Sequence, residues 1–102
     1  MTTRSEIPRF ETLSLERLDD HITILRLNRP NASNALNTQM GRDLVHYFEE
    51  VALDPASLRC VVLTGSGDKA FCAGGDLKER RGMTDEQWTR QHVIFERIWC
   101  GR

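Results

Sequence analysis

The sequence predicts an α/β protein with a strand–helix–strand crossover, and three observations carry the prediction. Two alternating segments flank the turn-forming pair Asp19-Asp20, a helix with a one-sided apolar stripe follows, and a short β-branched run comes after it. The order strand, strand, helix, strand, loop, helix returns the chain to its sheet through a crossover.

Each element has a local reason. Across residues 10–18, Phe10, Thr12 and Ser14 alternate with Leu13 and Leu15, and the alternation resumes from Ile22 to Leu27 beyond the Asp19-Asp20 turn. That pattern is a hairpin signal. Pro30 with Asn28, Asn31 and Asn34 ends the second strand and opens a loop. A helix is expected from about Thr38, with Asn37 as N-cap. Met40, Leu44, Phe48 and Val51 fall at spacings of four and three, which gives one buried stripe, and Asp54-Pro55 stops it. Residues 58–63 (LRCVVL) suit a buried parallel strand. A long loop, 64–76, then carries Gly65, Gly67, Gly74 and Gly75. Thr84 and Gln87 form a capping box for a last helix, whose buried side is expected to hold Trp88, Gln91, His92, Phe95, Ile98 and Trp99.

Bulk properties narrow the function without choosing it. The 102 residues fit one small domain, 1–102, of ordinary globular composition, 39% hydrophobic and 28% charged. A net charge of -1 supplies no basic field for nucleic acid. Arg80, Arg81 and Arg90 lack interleaved aromatics, so no nucleic-acid partner is expected. No apolar run approaches the roughly 20 residues of a membrane span, and no membrane partner is expected. Residues 1–10 lack the apolar centre of a secretory signal. Cys60, Cys72 and Cys100 form no CxxC pair and leave an odd thiol, so they are read as reduced. The expected location is the cytoplasm or an organellar matrix. His21, His46 and His92 are far apart and take no metal-ligand spacing, which leaves them surface or packing roles.

The segment that carries chemistry is Ala70-Phe71-Cys72-Ala73-Gly74-Gly75-Asp76-Leu77-Lys78-Glu79. A glycine-rich loop between a strand and a helix start lets backbone approach a ligand closely and aims peptide N–H groups at it. Such groups can stabilise an oxyanion. A plain tight turn would have the same composition. Gly65-Ser66-Gly67-Asp68-Lys69-Ala70 also matches the GxGxxA spacing of a dinucleotide-binding turn, but that fold requires a helix to start inside this loop.

The combination of segments is more specific than the loop. Leu27-Asn28-Arg29-Pro30, then Asn34-Ala35-Leu36, a helix, Val61-Val62-Leu63-Thr64-Gly65 and Ala70–Leu77 stand in an order and at distances that resemble the N-terminal portion of the crotonase superfamily, the enoyl-CoA hydratase/isomerase family. The resemblance covers roughly residues 10–79, and the following helix fits. It implies the first part of a ββα spiral fold, truncated here. It also implies an acyl-CoA thioester as substrate, with the thioester oxygen held between two peptide N–H groups. By the same resemblance Gly75 is the first donor through its backbone, so its side-chain identity matters little. Ala73, Gly74, Asp76 and Leu77 line the thioester, Ala35 sits beside the adenine and pantetheine arm, and Lys78 approaches the CoA phosphates.

Simpler roles stand beside these: Lys78 as a solvated lysine, Asp76 as a cap or loop clasp, Glu79 facing solvent and Cys72 as packing. Where relatives often carry a cation before NAL, this chain has Asn31-Ala32-Ser33, with Arg29 nearby as a substitute. No metal or redox cofactor is expected, coenzyme A entering as part of the substrate. Assembly as a trimer or dimer of trimers is implied for the intact protein. The second oxyanion donor and the acid/base glutamates of the family are expected beyond residue 102. A chain without them is expected to be inactive, or to serve as a stub that binds CoA weakly or associates with full-length subunits.

Overall fold

The computed structural model describes residues 10–68 and 70–100. The reading of residues 1–9, Lys69 in the GxGxxA match, the Trp99 side chain, the Cys100 thiol and the stop at Arg102 lie outside the described residues.

Strand β1 (Leu13–Arg17) and strand β2 (Ile22–Leu27) form the expected antiparallel hairpin, with Leu13 opposite Leu27 and Leu15 opposite Leu25. Asp19 sets the turn, its Oδ1 accepting from the His21 and Ile22 N–H groups at 2.7 and 2.9 Å. Helix α1 (Thr38–Leu53) crosses over to strand β3 (Cys60–Gly65), which pairs parallel with β2. The sheet order is β1-β2-β3. A short helix α2 (Leu77–Arg81) and a longer α3 (Asp85–Cys100) complete the order.

One face of the sheet and one face of α1 make the core. Leu13, Leu25 and Leu27 pack with Met40, Leu44 and Tyr47, while Phe48 and Val51 extend the same stripe half-buried. A fully buried leucine or methionine contributes roughly 1.5–3 kcal/mol by leaving water. The Asn37 side chain accepts from the Met40 N–H at 2.8 Å, which starts α1 where expected, and Asp54 caps its end. Asp43 is buried on α1 but satisfied. Its Oδ2 accepts from the Thr12 N–H and hydroxyl at 3.0 and 2.7 Å, and its Oδ1 from Gln39. Burial pushes the Tyr47 phenol above its ordinary pKa, partly offset by its bond with Thr23.

Helix α3 packs on α1 at close range. A Cβ on Gly41 would lie 2.7 Å from a Phe95 ring carbon, so only glycine lets the helices approach this far. The Thr84–Gln87 capping box forms reciprocally at 3.0 and 3.2 Å.

Two expectations need correction. Strand β3 is parallel but not buried: Val62 and Leu63 are 43% and 38% exposed, because β3 is the edge strand of the described sheet. Its bounds also shift, leaving Leu58 and Arg59 before it and taking in Thr64 and Gly65. Trp88 does not belong to the buried side of α3. It is 47% exposed and stacks on His92, whereas Gln91 and Phe95 turn inward.

Candidate functional site

The site is a loop cluster at the C-terminal ends of β2 and β3, and Asn34 organises it. Asn34 is fully buried and left-handed, at φ 56°, a conformation asparagine tolerates better than most residues. Its Oδ1 accepts from the Arg29 N–H at 2.8 Å, and its Nδ2 donates to the Ser66 and Ala70 carbonyls at 2.9 Å each. One side chain thus ties the loop after β2 to both limbs of the loop after β3. Gly65 admits this crossing because a Cβ there would stand 2.4 Å from the Phe71 carbonyl oxygen.

Beyond Phe71 the chain runs alongside the Asn34-Ala35-Leu36 segment. The Ala73 N–H donates to the Ser33 carbonyl at 3.0 Å. The Leu36 N–H donates to Gly74, and the Asp76 N–H donates back to Leu36, at 2.7 and 3.0 Å. These two bonds pair Leu36 with Gly75 as a parallel bridge. Both bonds of this bridge use the N–H and C=O of Leu36, so those of Gly75 point to the opposite side of its segment. The Gly75 N–H therefore faces outward, and it meets no acceptor among the described residues. Gly74, at φ +92°, makes the turn that presents it.

Asp76 closes the cluster. Its Oδ1 accepts from the Lys78 and Glu79 N–H groups at 3.0 and 3.2 Å, capping α2, and its Oδ2 takes the Arg29 guanidinium at 3.0 Å. Arg29 also donates to the Ala35 carbonyl at 2.7 Å. The Glu79 N–H above all, and then Arg29, hold the Asp76 carboxyl below the usual aspartate range against the opposing effect of burial. It is an ionised clasp at neutral pH and not a proton donor.

The structure thus brings Ala35, Ala73, Gly74, Gly75 and Asp76 together, while Leu77 and Lys78 lie exposed on α2 beside them. Cys72 packs half-buried against the core, in keeping with a packing role. Arg29, weighed for phosphate contact, is half-buried and already engaged by Asp76 and Ala35. Glu79 does not face solvent. Its Oε1 accepts from the Thr38 N–H and hydroxyl at 2.8 and 2.9 Å and from Gln91 at 2.6 Å, joining α2 to α1 and α3. Among the described residues no helix starts near Gly67, where the chain bends with φ +80°, and α2 begins only at Leu77. The dinucleotide turn is thereby removed.

His21 lies at the hairpin turn against the Ser57 carbonyl, His46 is exposed beside Glu50, and His92 stacks on Trp88. No cluster of three or more metal-type side chains forms among the described residues. None of their helices is long and apolar enough to cross a membrane. The sequence marks Asn34 through its loop and the Asn34-Ala35-Leu36 segment, but not its part in joining the two loops.

The model of a family described as enoyl-CoA hydratase/isomerase matches residues 22–99. A putative enoyl-CoA hydratase/isomerase of Bacillus subtilis, YngF, is 46% identical over 79 residues, covering 78% of this chain and 30% of its own length. The chain thus spans less than a third of that curated relative. The solved enoyl-CoA hydratase of Bacillus anthracis superposes with a TM-score of 0.77 at 36% identity, over 82% of this chain and 32% of that one. The enoyl-CoA hydratase of Mycobacterium smegmatis gives 0.74 at 42% identity, over 81% and 32%.

Proposed function

The chain belongs to the enoyl-CoA hydratase/isomerase family, and on that premise we propose that the protein processes acyl-CoA thioesters, with the Gly75 N–H as one donor to the thioester oxygen. The observation that carries this is the outward Gly75 N–H, unpaired among the described residues and fixed by the Leu36 bridge. A backbone donor held by a ladder bond needs no reorganisation as negative charge develops on the oxygen. Removing one such donor typically costs about 10²–10³ in rate.

In this reading Ala73, Gly74, Asp76 and Leu77 surround the thioester, Asp76 by fixing the loop rather than by moving a proton. Ala35 borders the pantetheine arm and the exposed Lys78 is available to a CoA phosphate. The enolate is stabilised by peptide dipoles, so the reaction calls for no metal or redox cofactor. A second oxyanion donor and an acid/base carboxylate are further requirements of the chemistry, and the intact protein is proposed to assemble as a trimer or dimer of trimers.

The test is hydration of crotonyl-CoA by the protein expressed from its complete coding sequence, followed as loss of the enoyl absorbance. Turnover that falls when Gly74 is replaced by valine supports the reading. If there is no turnover but CoA still binds, or the chain only joins full-length subunits, the stub reading stands in its place.

A further inference from the structure

Arg80 is the residue of the loop cluster that the oxyanion reading leaves unused. Its guanidinium folds back from α2 onto Gly75. A Cβ on Gly75 would lie 2.7 Å from its Cζ and Nη2 and 3.1 Å from its Nε. The Nε is buried and has no hydrogen-bond partner among the described residues. The carboxylates nearest in sequence are committed elsewhere, Asp76 to Arg29 and its helix cap, and Glu79 to Thr38 and Gln91. A cationic nitrogen is costly to bury unpaired, and a planar guanidinium is suited to bidentate pairing with a carboxylate.

We infer that Arg80, stacked on Gly75 with its Nε unpaired among the described residues, is a specificity residue that receives a carboxylate on the substrate's acyl chain. The preferred thioesters are then those of dicarboxylic acids. This rests on the reading that the thioester oxygen sits on the Gly75 N–H. A group in contact with Gly75 is then within a short acyl chain's reach of the thioester carbon. The exposed Lys78 remains for a CoA phosphate, while the Arg80 Nε is buried against the loop beside Gly75. On binding, the guanidinium turns from the Gly75 backbone to the carboxylate and exchanges an orphaned donor for charge-assisted bonds. The absence of a side chain at Gly75 is what makes room for it.

The test uses two thioesters with the same five-carbon enoyl chain, pent-2-enoyl-CoA and glutaconyl-CoA, which differ in a terminal methyl against a carboxylate. The protein from its complete coding sequence is compared with Arg80→Met and Arg80→Lys. The wild type is expected to favour glutaconyl-CoA in kcat/KM by about tenfold or more. In Arg80→Met the glutaconyl-to-pentenoyl ratio should fall about 10²-fold, mainly through KM, with part of the preference kept by Arg80→Lys. Turnover of pent-2-enoyl-CoA with no carboxylate preference, or a ratio that Arg80→Met leaves unchanged, overturns this inference alone. Equal weakening of free CoA binding in Arg80→Met assigns the anion to a CoA phosphate and also overturns it. If the wild type turns over neither thioester, the acyl-CoA reading fails first and this inference falls with it.

Discussion

Arg29 and Asp76, 47 residues apart in sequence, meet at 3.0 Å and lock the loop after β2 to the start of α2. Both side chains are largely shielded from water, at 23% and 13% exposure, so this pair differs from the exposed Arg26–Glu16 pair on the sheet. Asp76→Ala removes the α2 cap and leaves Arg29 without its carboxylate. A loss of about 1–3 kcal/mol is expected in denaturant unfolding of the protein. Glu16→Ala should cost less than about 1 kcal/mol. Equal losses from the two variants would mean that the clasp contributes no more than a surface pair.

The same carboxylate gives a pH dependence whose sign is fixed. Its folded pKa lies below the ordinary 3.8, so the folded state holds fewer protons than the unfolded one as pH falls through that interval. The clasp's contribution is therefore fully present above the unfolded pKa and is lost as pH drops through the folded value. The stability difference between wild type and Asp76→Ala should be flat at neutral pH and shrink below about pH 4. A difference that grew on acidification would contradict the assignment.

Asn34→Ala should be more damaging than its loop position suggests. It deletes three hydrogen bonds at a fully buried site and orphans the Ser66 and Ala70 carbonyls. A cost of about 2 kcal/mol or more is expected, with loss of hydrogen-exchange protection at the Arg29 amide. Asn34→Asp keeps the acceptor for Arg29 but loses both donations. It should protect the Arg29 amide while remaining destabilised.

Gly74 and Gly75 should respond differently to alanine. At Gly74 a Cβ meets nothing within 4 Å, so the penalty comes from φ +92° alone, about 1–2 kcal/mol. At Gly75 the backbone is permissive and the obstacle is the mobile end of Arg80. Gly75→Ala should therefore cost less stability than Gly74→Ala, and should shift Arg80 off the loop. Thermal unfolding of the two variants decides the order.

Local chemistry made much of the fold legible. The Asp19-Asp20 turn, the Asn37 cap, the Thr84–Gln87 box and Asp76 as a cap all act within a few residues, where sequence spacing fixes geometry. The failures are tertiary. Val62 and Leu63 have the composition of a buried strand, but their exposure depends on which elements cover the edge of the sheet. Glu79 lies on a five-residue helix, too short for periodicity to assign a face, and contacts with Thr38 and Gln91 decided its burial. Within the loop cluster the glycines and Asp76 could be found from their motif. The role of Asn34 depends on segments that meet only after folding.

The central claim, that Gly75 donates to a thioester oxygen, is open to direct measurement. Protein from the complete coding sequence, labelled with 15N-glycine, would be titrated with butyryl-CoA, a saturated thioester that cannot be hydrated, and separately with CoA. The account predicts that the Gly75 amide proton moves downfield with butyryl-CoA and stays near its free position with CoA, which lacks the carbonyl. A Gly75 resonance that is unmoved by the thioester, or that moves equally with both ligands, would contradict it.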